Sequence, residues 1–142
     1  MPPGYQQADP STPERWRRLA DQVCTHLAAA GLPVIPEMDF RVSAGAQVDI
    51  DPGGDSAGGV YVGWRAHPWL WSAFVDGARQ QHPQETLARH LSGLGEAMRD
   101  AIDRILTTGG FTVGPSPNDL AQHLLYVSAG PDQPLAERLG LD

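Results

Sequence analysis

The stretch MDFRVSAGAQVDIDPGGDSAGGVYVGWR, residues 38–65, decides how this chain folds. Met38, Phe40 and Val42 alternate with Asp39, Arg41 and Ser43, Val48 and Ile50 with Gln47, Asp49 and Asp51, and Val60, Val62 and Trp64 with Tyr61, Gly63 and Arg65. Successive strand side chains point to opposite faces, so a period of two predicts three strands, each with one buried and one wet side. Gly45 marks a tight turn between the first two, and the loop from Pro52 to Gly59 leads to the third, which makes a three-stranded antiparallel meander. One face then carries Met38, Phe40, Val42, Val48, Ile50, Val60, Val62 and Trp64. The other carries Asp39, Arg41, Gln47, Asp49, Asp51, Tyr61 and Arg65, and helices are expected to cover only the first.

On either side of this stretch the period lengthens. Upstream, Trp16, Leu19, Ala20, Val23, Leu27 and Ala30 recur at helical spacing behind Ser11 and Glu14, which stand at capping-box distance, and Gly31 supplies the stop. Downstream, Leu87, Leu91, Leu94, Met98, Ala101 and Ile105 step by four and three residues from Pro83 to Gly109 and Gly110, predicting the longest helix. The same spacing suits an inter-chain coiled coil, but Gly93 and Gly95 favour close packing within the domain. Residues 68–81 suit a strand by propensity, yet Leu70, Phe74 and Ala78 share a helical face, and a short helix is the preferred reading. Phe111 to Val113 and Leu124 to Val127 read as two further strands. The fold class is α+β: an antiparallel sheet of four to five strands, meander first, covered on one face by an N-terminal helix and a long central helix. Residues 1–10 are expected to be a flexible tail, 11–129 one domain, and 130–142 a tail or a short docking helix.

The chain has 142 residues, enough for one hydrophobic core. Its net charge of -7 disfavours phosphate-backbone binding, which draws its affinity from cationic side chains. Arg15, Arg17 and Arg18, with Arg41 and Arg65, could touch phosphates, but Asp21, Asp39 and Asp49 oppose them, so a nucleic-acid partner is not expected. All the cationic residues besides histidine are Arg, a usage read as a GC-rich bacterial gene. Cys24 has no second cysteine to pair with, the first 30 residues lack a signal-peptide pattern, and no apolar run is long enough to span a bilayer. A cytoplasmic protein without membrane insertion is the expectation.

Four residue groupings bear on chemistry. The hexapeptide Gly54-Asp55-Ser56-Ala57-Gly58-Gly59 resembles the nucleophile elbow of the hormone-sensitive-lipase group of α/β-hydrolases, and that resemblance implies Ser56 as nucleophile. An elbow leads into a helix, however, whereas Val60 to Trp64 reads as a strand, so a hairpin loop is the plainer role. Asp49, Asp51 and Asp55, with His67, offer oxygen and nitrogen ligands for a divalent ion, but their spacing matches no calcium loop, and a solvated sheet face is the simpler reading. Asp119 and His123 stand four apart, as an acid/base pair on a helix would. Cys24 and His26 lie two apart, so their side chains do not face each other on a helix and form no dyad. No catalytic residue, metal site or cofactor is assigned.

The feature that speaks most for binding is the cluster Trp64, His67, Trp69 and Trp71, because Trp joins a large apolar area to a donor that needs a partner. With Tyr61 and Arg65 it defines an expected partner-binding set at an open sheet face or a Trp-rich edge. The order of elements is similar to small peptide-binding secretion-chaperone-like domains, which implies an interaction role by fold analogy. The expected function is a small non-enzymatic protein-interaction module of adaptor, chaperone or immunity type, with a homodimer fitting the same picture. The alternative is a small-molecule or divalent-metal domain, an enzyme included, that uses the Asp-rich face.

Overall fold

The computed structural model describes residues 11–35, 44–53, 58–81, 84–118 and 122–141. In chain order the elements are α1 (Ser11–Ala29), β1 (Val34–Ile35), β2 (Gly45–Asp51), β3 (Gly59–Arg65), α2 (Pro68–Arg79), α3 (Glu85–Thr108), β4 (Thr112–Pro115), β5 (Leu125–Ala129) and α4 (Leu135–Arg138). The five strands form one sheet in the order β1-β2-β3-β5-β4. No described helix is long and apolar enough to cross a membrane.

The period-two reading is realised in β2 and β3, which pair antiparallel from Gly45 opposite Arg65 to Asp51 opposite Gly59. Ala46, Val48 and Ile50 thereby share one face with Trp64, Val62 and Val60. The expected strand with Met38, Phe40 and Val42 lies outside the described residues, as do Asp39 and Arg41.

The sheet is mixed, which corrects the expectation of a purely antiparallel one. β1 runs parallel to β2, with Val34 opposite Ala46 and Ile35 opposite Gln47. Two apolar residues show no alternation, so nothing in their pattern announces a strand. They are held because the Ala46 amide donates to the Pro33 carbonyl at 2.8 Å. Gly45 opens β2 with φ of 140°, and a Cβ there would collide with the Pro33 carbonyl, so this approach of backbones requires glycine; the turn expected at Gly45 toward residues 38–43 reaches outside the described residues.

The apolar stripes of α1 and α3 cover the first face. Val23 and Leu27 of α1, Val60, Val62 and Val127 of the sheet, and Ile102 and Leu106 of α3 are fully buried, with Phe111 closing the cluster. Each such aliphatic side chain contributes roughly 1.5–3 kcal/mol relative to exposure. Both long helices stop in the same way: Leu32 N–H donates to Leu27 and Gly31 N–H to Ala28, as Phe111 N–H donates to Leu106 and Gly110 N–H to Thr107. The C-terminal stretch returns to this end of the molecule. Gln22 Nε2 donates to the Pro131 carbonyl at 2.9 Å, α4 touches α1, and Arg138 donates to the Gly109 carbonyl at the end of α3.

Candidate functional site: a cleft at the open end of the sheet

β3 is longer than its second neighbour. β2 accompanies it along its full length, whereas β5 pairs only with Val60, Tyr61 and Val62. Gly63, Trp64 and Arg65 therefore have a strand on one side only among the described residues. The chain enters β5 through a turn at 122–124, and Arg99 of α3 donates to the His123 carbonyl at 3.0 Å, which ties that turn to the helix.

A cleft of about 370 Å³ occupies this end, a volume within the range of ligand pockets. Gly63 to Ala66 form one wall, Leu91, Leu94 and Gly95 of α3 a second, Trp71 of α2 a third, and His123 and Leu124 a fourth, while Gln47 and Asp49 enter from the polar side of the sheet. Arg65 Nη1 donates to Gln47 Oε1 and Gln47 Nε2 to Asp49 Oδ1, both at 3.4 Å, so these three form a polar row beside apolar walls.

Helix α2 is built by local chemistry. Pro68 stands at its first turn, and His67 accepts the Trp69 amide on Nδ1 at 3.1 Å, an imidazole serving as N-cap. The helical reading of residues 68–81 agrees with this helix. Trp71 stacks on Phe74 at 5.8 Å between ring centroids. Gly77 is buried under the Gln84 side chain, so α2 and α3 meet closely where the chain turns back. Trp69 and Trp71 are left 75% and 52% exposed.

The expected partner-binding residues thus divide. Trp64, Arg65 and Trp71 line the cleft, His67 caps the helix that carries Trp71, and Trp69, two positions before Trp71, is exposed on a different side of that helix. Tyr61 departs from its expected place on an open face, because it is only 4% exposed. Gly59 and Gly63 flank it on β3, and their missing side chains make room for Tyr126 and Leu124 to fold over the strand. The Tyr126 ring packs 5.2 Å from that of Tyr61, and its hydroxyl donates to the Gly58 carbonyl at 2.9 Å. Leu91 and Leu94 were legible only as core residues of a helix, and Gly63 and Leu124 only as strand residues; the available signal was the length of the Val60–Arg65 run against the shorter one at Leu124–Val127.

Among the described residues no three potential metal ligands come together. Asp55 lies outside them, Asp51 accepts the Gly53 amide, and His67 is engaged as a cap. Ser56 and Asp119 also lie outside, so the elbow-like hexapeptide and the Asp119–His123 pair have no described geometry. Cys24 is half-buried, and burial pushes its thiol up, with the Asp21 carboxylate adding to the rise. A thiol held protonated is a poor nucleophile. His26 is buried: a carbonyl can only accept, so Nδ1–H donates to the Gln22 carbonyl at 3.1 Å, and among the described residues Nε2, beside the Phe111 ring, has no hydrogen-bond partner.

Compared with protein-family models, with curated proteins and with solved structures, the chain matches none.

Proposed function

We propose that this chain is a small non-enzymatic protein-interaction module, of adaptor, chaperone or immunity type, that takes up a protein partner at the cleft edged by Trp71. The observation that carries this reading is the Trp71 indole on α2, 52% exposed where it lines the cleft. Isolated exposed apolar residues are ordinary, but a half-exposed Trp71 ring in a cleft lined by Trp64, Leu91, Leu94 and Leu124 makes a patch suited to an interface. A bacterial cytoplasmic setting belongs to the same proposal, supported by the lone Cys24 and the Arg-only basic composition.

The test is affinity capture from the native host with the full chain and with Trp69→Ala and Trp71→Ala variants, read against an unchanged circular-dichroism spectrum. A partner retained by the parent and lost by folded variants supports the module. Equal retention by all three removes the indoles from the interface.

A second reading rests on the Arg65, Gln47 and Asp49 row at the mouth of the same cleft: a small polar ligand, with or without a divalent ion. Thermal-shift screening with divalent ions and metabolites distinguishes it. A midpoint increase abolished by Asp49→Asn favours it, and a flat screen discards it.

A further inference from the structure

Building on the interaction reading above, we infer that the partner anchors in the cleft through an arginine side chain, whose guanidinium meets the Asp49 carboxylate and lies against the Trp71 indole. Charge carries the first half of this. Among the described residues the titratable groups lining the cleft are Asp49, Arg65 and His123, and Asp49 is the one anion. Arg65 donates to Gln47 and Gln47 donates on to Asp49, so the row ends on a group that can only accept. Arg65 is already engaged, with Gln47 among its partners. Among the described residues the half-buried Asp49 carboxylate takes a single hydrogen bond, from Gln47 at 3.4 Å, and no ion pair. A carboxylate offers about four acceptor sites, so most of its capacity remains for water or for an occupant of the cleft. The net charge of -7 draws a cationic partner in the same sense.

The walls choose among cations. Phe74 stacks on Trp71 with ring centroids 5.8 Å apart and planes 30° from parallel, and the indole is still 52% exposed where it lines the cleft. A guanidinium is planar and weakly hydrated, stacks on an indole, and pairs with a carboxylate through two parallel N–H groups. An ammonium is a compact, strongly hydrated point charge without that fork. Leu91 and Leu94 of α3 give the methylene stem of the arginine an apolar wall. An acidic anchor would be repelled by Asp49, and a purely apolar one would fill the walls while covering that charge without a partner, which is costly.

The experiment selects binders to the immobilised full chain from a random linear peptide library, synthesises the strongest, and replaces each of its arginines in turn by citrulline, which keeps the shape and removes the charge. The anchor predicts that one replacement lowers affinity by about tenfold or more. It also predicts that folded Asp49→Asn weakens the parent peptide as much and the citrulline peptide no further, and that folded Trp71→Ala weakens the parent peptide. The citrulline scan needs no variant of the chain and stands even if Asp49→Asn does not fold. A binder that requires Trp71 but lacks arginine, tolerates every citrulline, or loses as much on replacement in Asp49→Asn as in the parent chain overturns the arginine anchor and leaves the interaction module standing. A library yielding no peptide that depends on Trp71 overturns both.

Discussion

The two halves of α3 carry the same apolar stripe and meet different fates. Ile102 and Leu106, in the C-terminal half, are fully buried between the sheet and α1, whereas Leu87, Leu91 and Leu94, in the N-terminal half, are only half-buried. β3 divides likewise: among the described residues Val60, Tyr61 and Val62 lie between two strands, and Gly63, Trp64 and Arg65 beside one. One end of the molecule is sealed by a helix, a strand on each side and a returning C-terminus, and the other is left open between α2 and the sheet. The lesson is that periodicity identifies which face of an element is apolar, while the lengths of its neighbours determine what covers it.

The contrast is broken most directly by truncating the stripe at each end. Leu106→Ala is expected to cost about 2–5 kcal/mol, because its cavity is enclosed on every side. Leu91→Ala should cost under about 1.5 kcal/mol, since solvent already reaches its surroundings. Urea unfolding of both variants decides the matter, and equal losses would mean that the N-terminal half is sealed too.

Next in size is Gly59→Ala, at the closed end of β3. Gly59 has φ of 140°, and an added Cβ would sit 2.8 Å from the Tyr126 ring, so strain and displacement together should cost about 1–3 kcal/mol. Tyr126→Phe keeps the ring over the strand and removes its bond to the Gly58 carbonyl. Its expected cost is about 1 kcal/mol by denaturant midpoint. At the open end Trp71→Ala should move stability by no more than about 0.5 kcal/mol while removing partner capture. A large destabilisation by Trp71→Ala would make that indole a core residue.

How much of this was legible in the sequence follows from the same contrast. The period of two at 47–51 and 60–65, the helical stripes of α1 and α3, and the helix at 68–79 are local properties, written in adjacent side chains and their caps. The parallel strand at Val34 and Ile35 was not, because its pairing rests on Pro33 approaching Gly45 from outside the alternating run. Tyr61 looked solvent-facing because its neighbours Gln47, Asp49 and Arg65 are polar. Its cover comes from Tyr126, 65 positions along the chain, through a pairing that no local pattern encodes. The cleft was legible only in part: the indoles were visible as an edge, but a gap between strands of unequal length is a property of register.

The smallest effect is a probe of the sealed end from within. Burial, reinforced by the Asp21 carboxylate, raises the Cys24 thiol, so at neutral pH it should react with a disulfide reagent more slowly in the native chain than in urea. Between the ordinary thiol range and the raised native value the unfolded chain has lost a proton that the folded chain keeps. Stability is therefore full below that window and falls as pH rises through it, a loss absent from Cys24→Ala. Because reaction requires the surroundings of α1 to open, its rate reports on that half of the molecule. Leu106→Ala should accelerate modification of Cys24, and Leu91→Ala should leave the rate unchanged. Acceleration by both would show that the two ends open together, and the division between a sealed end and an open one would then describe packing without describing stability.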